Sequence, residues 1–284
     1  MRLGVCILPE LRWSEQQPLW QRAEELGFHH AWTYDHLAWR SLADGPWFGA
    51  VPTLAAAAMA TSKIRLGPLV ASPNYRHPVP FAKELVSLDD LSMGRITLGI
   101  GAGGEGWDAT VLGGEPWPAK ERADRFAEFV ELLDMLLRQP DTTYAGTWYS
   151  AQRARTHPGC VQQPRVPFAL AAAGPRGMRL AATYADTWVT TGDRSGGGIT
   201  AVREQVKRLE DACTALSRDP STIDRLVLTG PELDAGLESE DAFADTIGRY
   251  EALGITDLVV HWPRSTEPYR GDVKTFERVV SSVL

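Results

Sequence analysis

Eight times along its 284 residues the chain passes from a short, largely apolar run into a stretch of helical period. The strand-like runs are "RLGVCIL", "FHHAWTY", "KIRLGPLVA", "RITLGIG", "PFALAAA", "DTWVTTG", "DRLVLTG" and "ITDLVVHW". A helix-like segment follows each. The first, "SEQQPLWQRAEELG", offers Ser14 as an N-cap and Gly27 as a stop. Parallel strands need a crossover of a dozen or more residues, which a helix supplies. Eight such units, with no linker and no low-complexity tract, predict a (β/α)8 TIM barrel, one domain over residues 1–284. An open doubly wound sheet is the alternative. The rhythm breaks once. Residues 140–165 carry Pro140, Gly146, Pro158, Gly159 and Pro164 around a hairpin-like "TTYAGTWYS", which reads as an insertion or cap.

Composition narrows the remaining classes. A formal charge of -7 argues against a nucleic-acid partner. The apolar stretch "VPTLAAAAMA" falls far short of the roughly 20 residues a membrane span needs. The apolar run in "MRLGVCILPE" is too short for a signal peptide. Cys6, Cys160 and Cys213 are an odd, widely spaced set that suits a reducing compartment and lacks zinc spacing. The expectation is a cytoplasmic protein with a small-molecule substrate, no membrane and no metal. Of its ten tryptophans, some are expected to line a pocket for a flat ligand.

In a barrel, chemistry sits at the C-terminal ends of the strands. That rim would carry Glu10, Asp35-His36, Leu69 to Ser72, Gly101 to Asp108, Ala173 to Arg176, and His261-Trp262. The segment "TYDHLAW" sets an acid, an imidazole and an indole within five residues. His36 can exchange a proton near neutral pH, and Asp35 can orient it or bind a ligand hydroxyl. A solvated surface loop is the plainer reading. Glu10 and Glu105 end the first and fourth strands and can face one cavity. An apolar, tryptophan-lined mouth would raise their pKa values. "GIGAGG" at 99–104 matches G-x-G-x-x-G, but no helical period follows it and it sits on the fourth strand. Its glycines are better read as letting a flat ring approach the backbone than as a dinucleotide fingerprint. Gly174-Pro175-Arg176-Gly177 leaves backbone N–H groups at a helix start beside a guanidinium, which suits a phosphate; a tight turn is the alternative. Tyr75, Arg76 and His77 either contact substrate or cofactor or form a solvated turn. His29 and His30, inside the second strand, read as structural. The sequence has no metal-spaced set, Gly-x-Ser-x-Gly elbow or Walker loop.

Five segments, "LGVCILPE", "AEELGFHHAWTYDHLAW", "KIRLGPLVASPNYRHP", "GRITLGIGAGGEGWD" and "AAAGPRGMRLAATYADTWVTTG", resemble in their order the bacterial luciferase-like superfamily over most of residues 1–192. The resemblance implies a (β/α)8 barrel with an insertion near residues 140–165 and a flavin or deazaflavin in its mouth. It also implies a homodimer, since many members are dimers. The chain looks most similar to the branch dependent on coenzyme F420, an 8-hydroxy-5-deazaflavin, which includes glucose-6-phosphate and secondary alcohol dehydrogenases. That branch's Asp-His pair, tryptophan and strand-four glutamate fall on Asp35, His36, Trp39 and Glu105, and its strand-one glutamate on Glu10. Its non-proline cis peptide falls on Leu69-Val70, and its phosphate-binding stretch on Ala173, Gly174 and Pro175. Asp108 stands where relatives often carry Asn. Trp39 follows His36 by three residues, one fewer than in the sugar-phosphate enzymes, and no lysine set suits a sugar phosphate. Glucose 6-phosphate is therefore not the expected substrate.

What the resemblance implies is an oxidoreductase moving a hydride between a deazaflavin and a small organic substrate. His36, Trp39, Glu105 and Glu10 would be its catalytic set. Asp35, Leu69, Val70, Asp108, Ala173, Gly174, Pro175 and Arg176 would hold the cofactor. The rival is an FMN-dependent monooxygenase supplied by a flavin reductase, for which Arg176 suits the FMN phosphate equally well. A third reading is a non-catalytic flavin-binding or structural barrel, against which the Glu10/His36/Glu105 set argues.

Overall fold

The computed structural model describes residues 1–193 and 196–284. Its strands are β1 (Arg2–Cys6), β2 (His30–Thr33), β3 (Arg65–Pro68), β4 (Leu98–Ile100), β5 (Asp141–Ala145), β6 (Ser150–Arg155), β7 (Phe168–Ala171), β8 (Thr187–Thr190), β9 (Asp224–Leu228) and β10 (Asp257–His261). Its α-helices are α1 (Trp13–Leu26), α2 (Ala50–Ala60), α3 (Pro78–Leu91), α4 (Trp107–Thr110), α5 (Ala119–Arg138), α6 (Pro175–Tyr184), α7 (Gly198–Ala215), α8 (Glu240–Glu251) and α9 (Val273–Ser281). Eight strands form one parallel sheet in the order β3-β2-β1-β10-β9-β8-β7-β4. The ring closes between β3 and β4 through the bridges Leu66–Ile96 and Ala71–Ile100. There the Ala71 N–H donates to Gly99 O and the Gly101 N–H to Ala71 O, both at 2.8 Å. This is the expected (β/α)8 barrel.

Local signals set most boundaries. Gly27 ends α1 at φ 95, and its N–H reaches back to the carbonyls of Ala23 and Glu24. Ser14 is not the N-cap: the N–H groups of Glu15 and Gln16 both bond to Arg12 O, so the cap lies two residues earlier and Ser14 is in the first turn. The four residues of α4 were not expected, because one turn is too short to show a period. The insertion is the antiparallel hairpin β5–β6. Glu128 of α5 pins its turn, accepting the N–H groups of Thr147 (2.9 Å), Trp148 (2.9 Å) and Tyr149 (2.6 Å).

Strand alternation divides the core in two. Leu3, Val5, Ile7, Ala31 and Leu258 belong to the larger cluster, which includes the helix residues. Cys6, Trp32, Tyr34, Leu69, Val189 and Val259 form a second cluster that fills the barrel. Glycine makes room for its largest member, since a Cβ on Gly67 would lie 2.7 Å from the Trp32 ring. The N-terminal end of the barrel is plugged by a polar set. Trp32 Nε1–H donates to His30 Nδ1 (2.6 Å), His30 Nε2 lies 3.1 Å from Asp257, and Arg2 binds Asp257 at 2.7 and 2.6 Å. Burial opposes the Asp257 charge, yet the bonds from His30 and Arg2 hold its carboxyl well below the usual range. Both His30 ring nitrogens thus have partners within this set. Among the described residues, no helix is long and apolar enough to cross a membrane.

Candidate active site

At the C-terminal ends of the strands the barrel opens into a cavity of about 520 Å³. His36, Trp39, Leu69, Val70 and Ala173 all line it. The Leu69–Val70 peptide is cis, as expected.

Asp35 and His36 leave the end of β2 in different directions, as neighbours on extended backbone do. His36 lines the cavity, but Asp35 is 2% exposed and turned to the loop after β3. Its carboxylate accepts the Tyr75 hydroxyl (2.6 Å) and two guanidinium N–H groups of Arg76 (2.6 and 2.8 Å). Arg76 also reaches Glu84 (2.9 Å) and lies over the Phe81 ring at 4.3 Å. Burial works to lower the Arg76 pKa, but the Asp35 carboxylate raises it overall. Asp35, expected at the cofactor, is not among the residues lining the mouth, and its carboxylate ties two rim loops together.

His36 Nδ1 lies 2.5 Å from Asp108 Oδ2, while Asp108 Oδ1 accepts the Leu37 N–H at 2.8 Å. An ionised carboxylate only accepts, so Nδ1 carries the hydrogen. Nε2 is then the nitrogen left to act on a ligand. Asp108, also expected at the cofactor, is 5% exposed, and its two oxygens serve His36 and the backbone behind it.

Trp39 is buried at the wall of the cavity. Its ring stacks near Trp47 (6.3 Å, 14°) and Tyr269 (6.2 Å, 24°), with the Arg40 guanidinium 5.1 Å away. Trp47 Nε1–H donates to the backbone carbonyl of His36 (2.8 Å), which ties this aromatic wall to the loop that carries the imidazole.

Glu10 and Glu105 do not share an apolar mouth. Arg264 grips Glu10 in two bonds of 2.5 and 2.6 Å. The Glu105 side chain is 71% exposed, lies 3.2 Å from Arg122, and is not among the residues lining the mouth cavity. Each carboxylate meets a guanidinium, which sequence spacing did not foretell because Arg264 is 254 residues from Glu10.

Three aromatic groups extend the site beyond the predicted set. The Tyr34 hydroxyl lies 2.7 Å from His261 Nε2 and 3.0 Å from the Tyr269 hydroxyl. Burial pulls the His261 imidazole down to about 3, against a weak opposing bond to the Thr229 backbone. His261 is therefore a neutral acceptor. Burial also raises the Tyr34 phenol well above its ordinary value. Tyr34 and His261 stood at strand ends in the sequence; nothing there marked Tyr269.

A further cavity, of about 870 Å³, shares Ala173 with the mouth and is lined by Gly174, Pro175, Arg176, Gly103 and Arg122. Gly174 caps α6, and the first helical hydrogen bond runs from Met178 N–H to Gly174 O (2.9 Å). Pro175 has no N–H, so the Arg176 and Gly177 N–H groups are the helix's free donors. The Arg176 guanidinium is shared with Asp124 at 2.6 Å.

A model of the luciferase-like monooxygenase family matches residues 1–245. An F420-dependent glucose-6-phosphate dehydrogenase of Beutenbergia cavernae is 39% identical over 174 residues, 60% of this chain and 50% of that protein. One of Microbacterium testaceum is 32% identical over 229 residues, 76% of this chain and 64% of that protein. The chain thus spans about half to two thirds of the length of these relatives. The coenzyme F420-dependent tetrahydromethanopterin reductase of Methanopyrus kandleri shares the fold, with a TM-score of 0.80 at 20% identity over 99% of this chain and 97% of that one.

Proposed function

The chain belongs to the luciferase-like monooxygenase family, and on that footing we propose that it is an oxidoreductase transferring a hydride between coenzyme F420 and a small hydroxyl- or carbonyl-bearing substrate. The relatives named above are F420-dependent dehydrogenases, and the barrel mouth suits such a ring. Leu69, Val70 and Trp39 offer it apolar and aromatic walls, and the cavity meets at Ala173 the space in front of the α6 N-terminus. The Arg176 and Gly177 N–H groups would hold a phosphate there. When bound, the deazaflavin supplies hydride transfer at C5. The protein positions the reactants and handles the proton.

The observation that carries this reading is His36, on the wall of that cavity with Nδ1 held by Asp108. Nε2 takes a proton from the substrate oxygen, or returns it, as the neighbouring carbon is oxidised or reduced. Asp108 keeps the imidazole in that tautomer. Trp39 shields the reacting centre from water. Glu10 and Glu105, paired with Arg264 and Arg122, support the rim in this reading. Among the described residues no lysine lines the mouth, and the cations described there, Arg40 and Arg208, share it with Asp193, Glu204 and Glu232, which favours a neutral substrate over a sugar phosphate. One domain, a homodimer and a cytoplasmic location belong to the same proposal; exposed Met93 and Val161 flank Gly94 and offer a second copy an apolar patch.

Fluorescence titration with each cofactor tests the reading. The expected result is tighter binding of the deazaflavin than of FMN, and no oxygen consumption by the reduced complex. Tighter FMN binding with oxygen uptake would assign the site to a monooxygenase.

A further inference from the structure

Behind the wall of the mouth lies another cavity, of about 460 Å³. Thr229, Gly230 and Tyr269 line both spaces, whereas His261 lines only the one behind. Leu233, Ala235, Leu237 and Phe276 give that rear space its apolar walls, and Asp234, Glu238, Arg270 and Asp272 also line it. The Tyr269 ring stands at the boundary, and several contacts hold it there. It stacks on His261 at 3.6 Å with 4° between the planes. Its hydroxyl meets that of Tyr34, which meets His261 Nε2. Its backbone carbonyl accepts the Arg264 N–H (2.9 Å), and Arg264 Nη1–H reaches Pro268 O (2.9 Å). Tyr269 itself has φ 68, a region L-residues rarely occupy, so the loop rather than intrinsic preference sets the ring's position.

We propose that Tyr269 sets the substrate size limit: its ring closes the barrel mouth off from an apolar subsite that would take the alkyl or aryl arm of a larger substrate. The proposal rests on reading the mouth as the substrate site. The hydroxyl chain explains why the ring stays closed. Neutral His261 turns one ring nitrogen to the Thr229 backbone and offers Nε2 as an acceptor. The Tyr34 hydroxyl thus bridges His261 Nε2 and the Tyr269 hydroxyl. Swinging the ring aside breaks that bond and the stack on His261 together. A substrate with a short chain never meets the ring. One with a phenyl arm does.

The test uses the cofactor-free 284-residue chain with 2-propanol and 4-phenyl-2-butanol as probes, their affinities read by ligand-observed NMR and calorimetry. Tyr269→Ala should bind 4-phenyl-2-butanol about 10-fold tighter than wild type or better, the effect of burying one more aromatic ring. The gain should favour the larger alcohol, so that the ratio of its affinity to that for 2-propanol rises by about 10-fold. Tyr269→Leu should shift in the same direction and serves if the alanine variant does not fold. A soaked crystal of the variant should place the phenyl group against Leu233 and Phe276. Equal affinities of variant and wild type for the larger alcohol would overturn the proposal. So would a wild-type complex with the phenyl group already in the rear space. Deazaflavin titration of the same wild-type protein is read separately. Its failure would sink the hydride-transfer reading and leave the size comparison standing.

Discussion

Nδ1 of His36 lies 2.5 Å from Oδ2 of Asp108, a residue 72 positions further along the chain. The contact joins the rim after β2 to α4 and leaves one imidazole nitrogen for chemistry. His36→Ala should lower turnover by about 10²–10⁴-fold, the usual worth of general acid–base assistance, with cofactor affinity little changed. Asp108→Asn should cost about 10²-fold at saturating cofactor, because an amide has one acceptor oxygen where His36 and the Leu37 N–H use two. Steady-state kinetics beside a cofactor titration separates the roles. If Asp108→Asn weakens cofactor binding while turnover at saturation holds, Asp108 is a cofactor ligand after all.

Asp35→Ala should act on stability before it acts on catalysis. It strands the buried Arg76 guanidinium and removes the acceptor of the Tyr75 hydroxyl. Breaking a buried pair by removing one partner costs about 3–5 kcal/mol. Urea denaturation should show a loss of that order. A loss below about 1 kcal/mol, typical of an exposed pair, would mean the contact is not a buried one in solution.

Glu10→Gln should loosen the loop that carries Tyr269. Arg264 would lose its bidentate partner, and its hold on the Pro268 carbonyl would weaken. Amide exchange at Arg264 and Gly271, both bonded within this loop, should speed up. Unchanged exchange with a large drop in turnover would point instead to Glu10 as a proton donor.

The buried His261 gives stability a dependence on pH. Its imidazole titrates near 3 in the folded protein and near 6.5 in an unfolded chain. Between those values the unfolded chain binds a proton that the folded protein refuses, so stability falls as pH drops from about 6.5 toward 3, by up to about 1.4 kcal/mol per unit. Going from pH 6.5 to 4.5, wild type should lose roughly 2 kcal/mol more than His261→Gln. Parallel losses in the two proteins would show that His261 is protonated without penalty.

The barrel was legible because its signal is local and repeated. Each barrel strand carries its own short, largely apolar run, and a stop such as Gly27 needs only its own turn. The residues of the mouth were legible by position on the strand ends. Their partners were not. Whether Asp35 faces a cofactor or Arg76 depends on how the loop after β3 folds back. Whether Glu10 stands free depends on Arg264, at the far end of the chain. Tyr269 sits in an irregular loop without a period, where only the assembled packing brings it to Tyr34. Pairings across more than 200 residues leave no trace in spacing.

The ring of strands also governs how the protein comes into being. β1 is synthesised first, yet one of its two edges pairs with β10, from Arg2 with Asp257 to Cys6 with His261. At about 5–20 residues per second, a ribosome takes roughly 12–50 s to deliver that partner. For all that time the first strand offers open N–H and C=O groups beside an apolar face, the kind of edge that captures other chains. The mouth, with its Glu10–Arg264 clasp, cannot assemble before Arg264 has been made, so the nascent chain must be shielded until then while it still lacks the site.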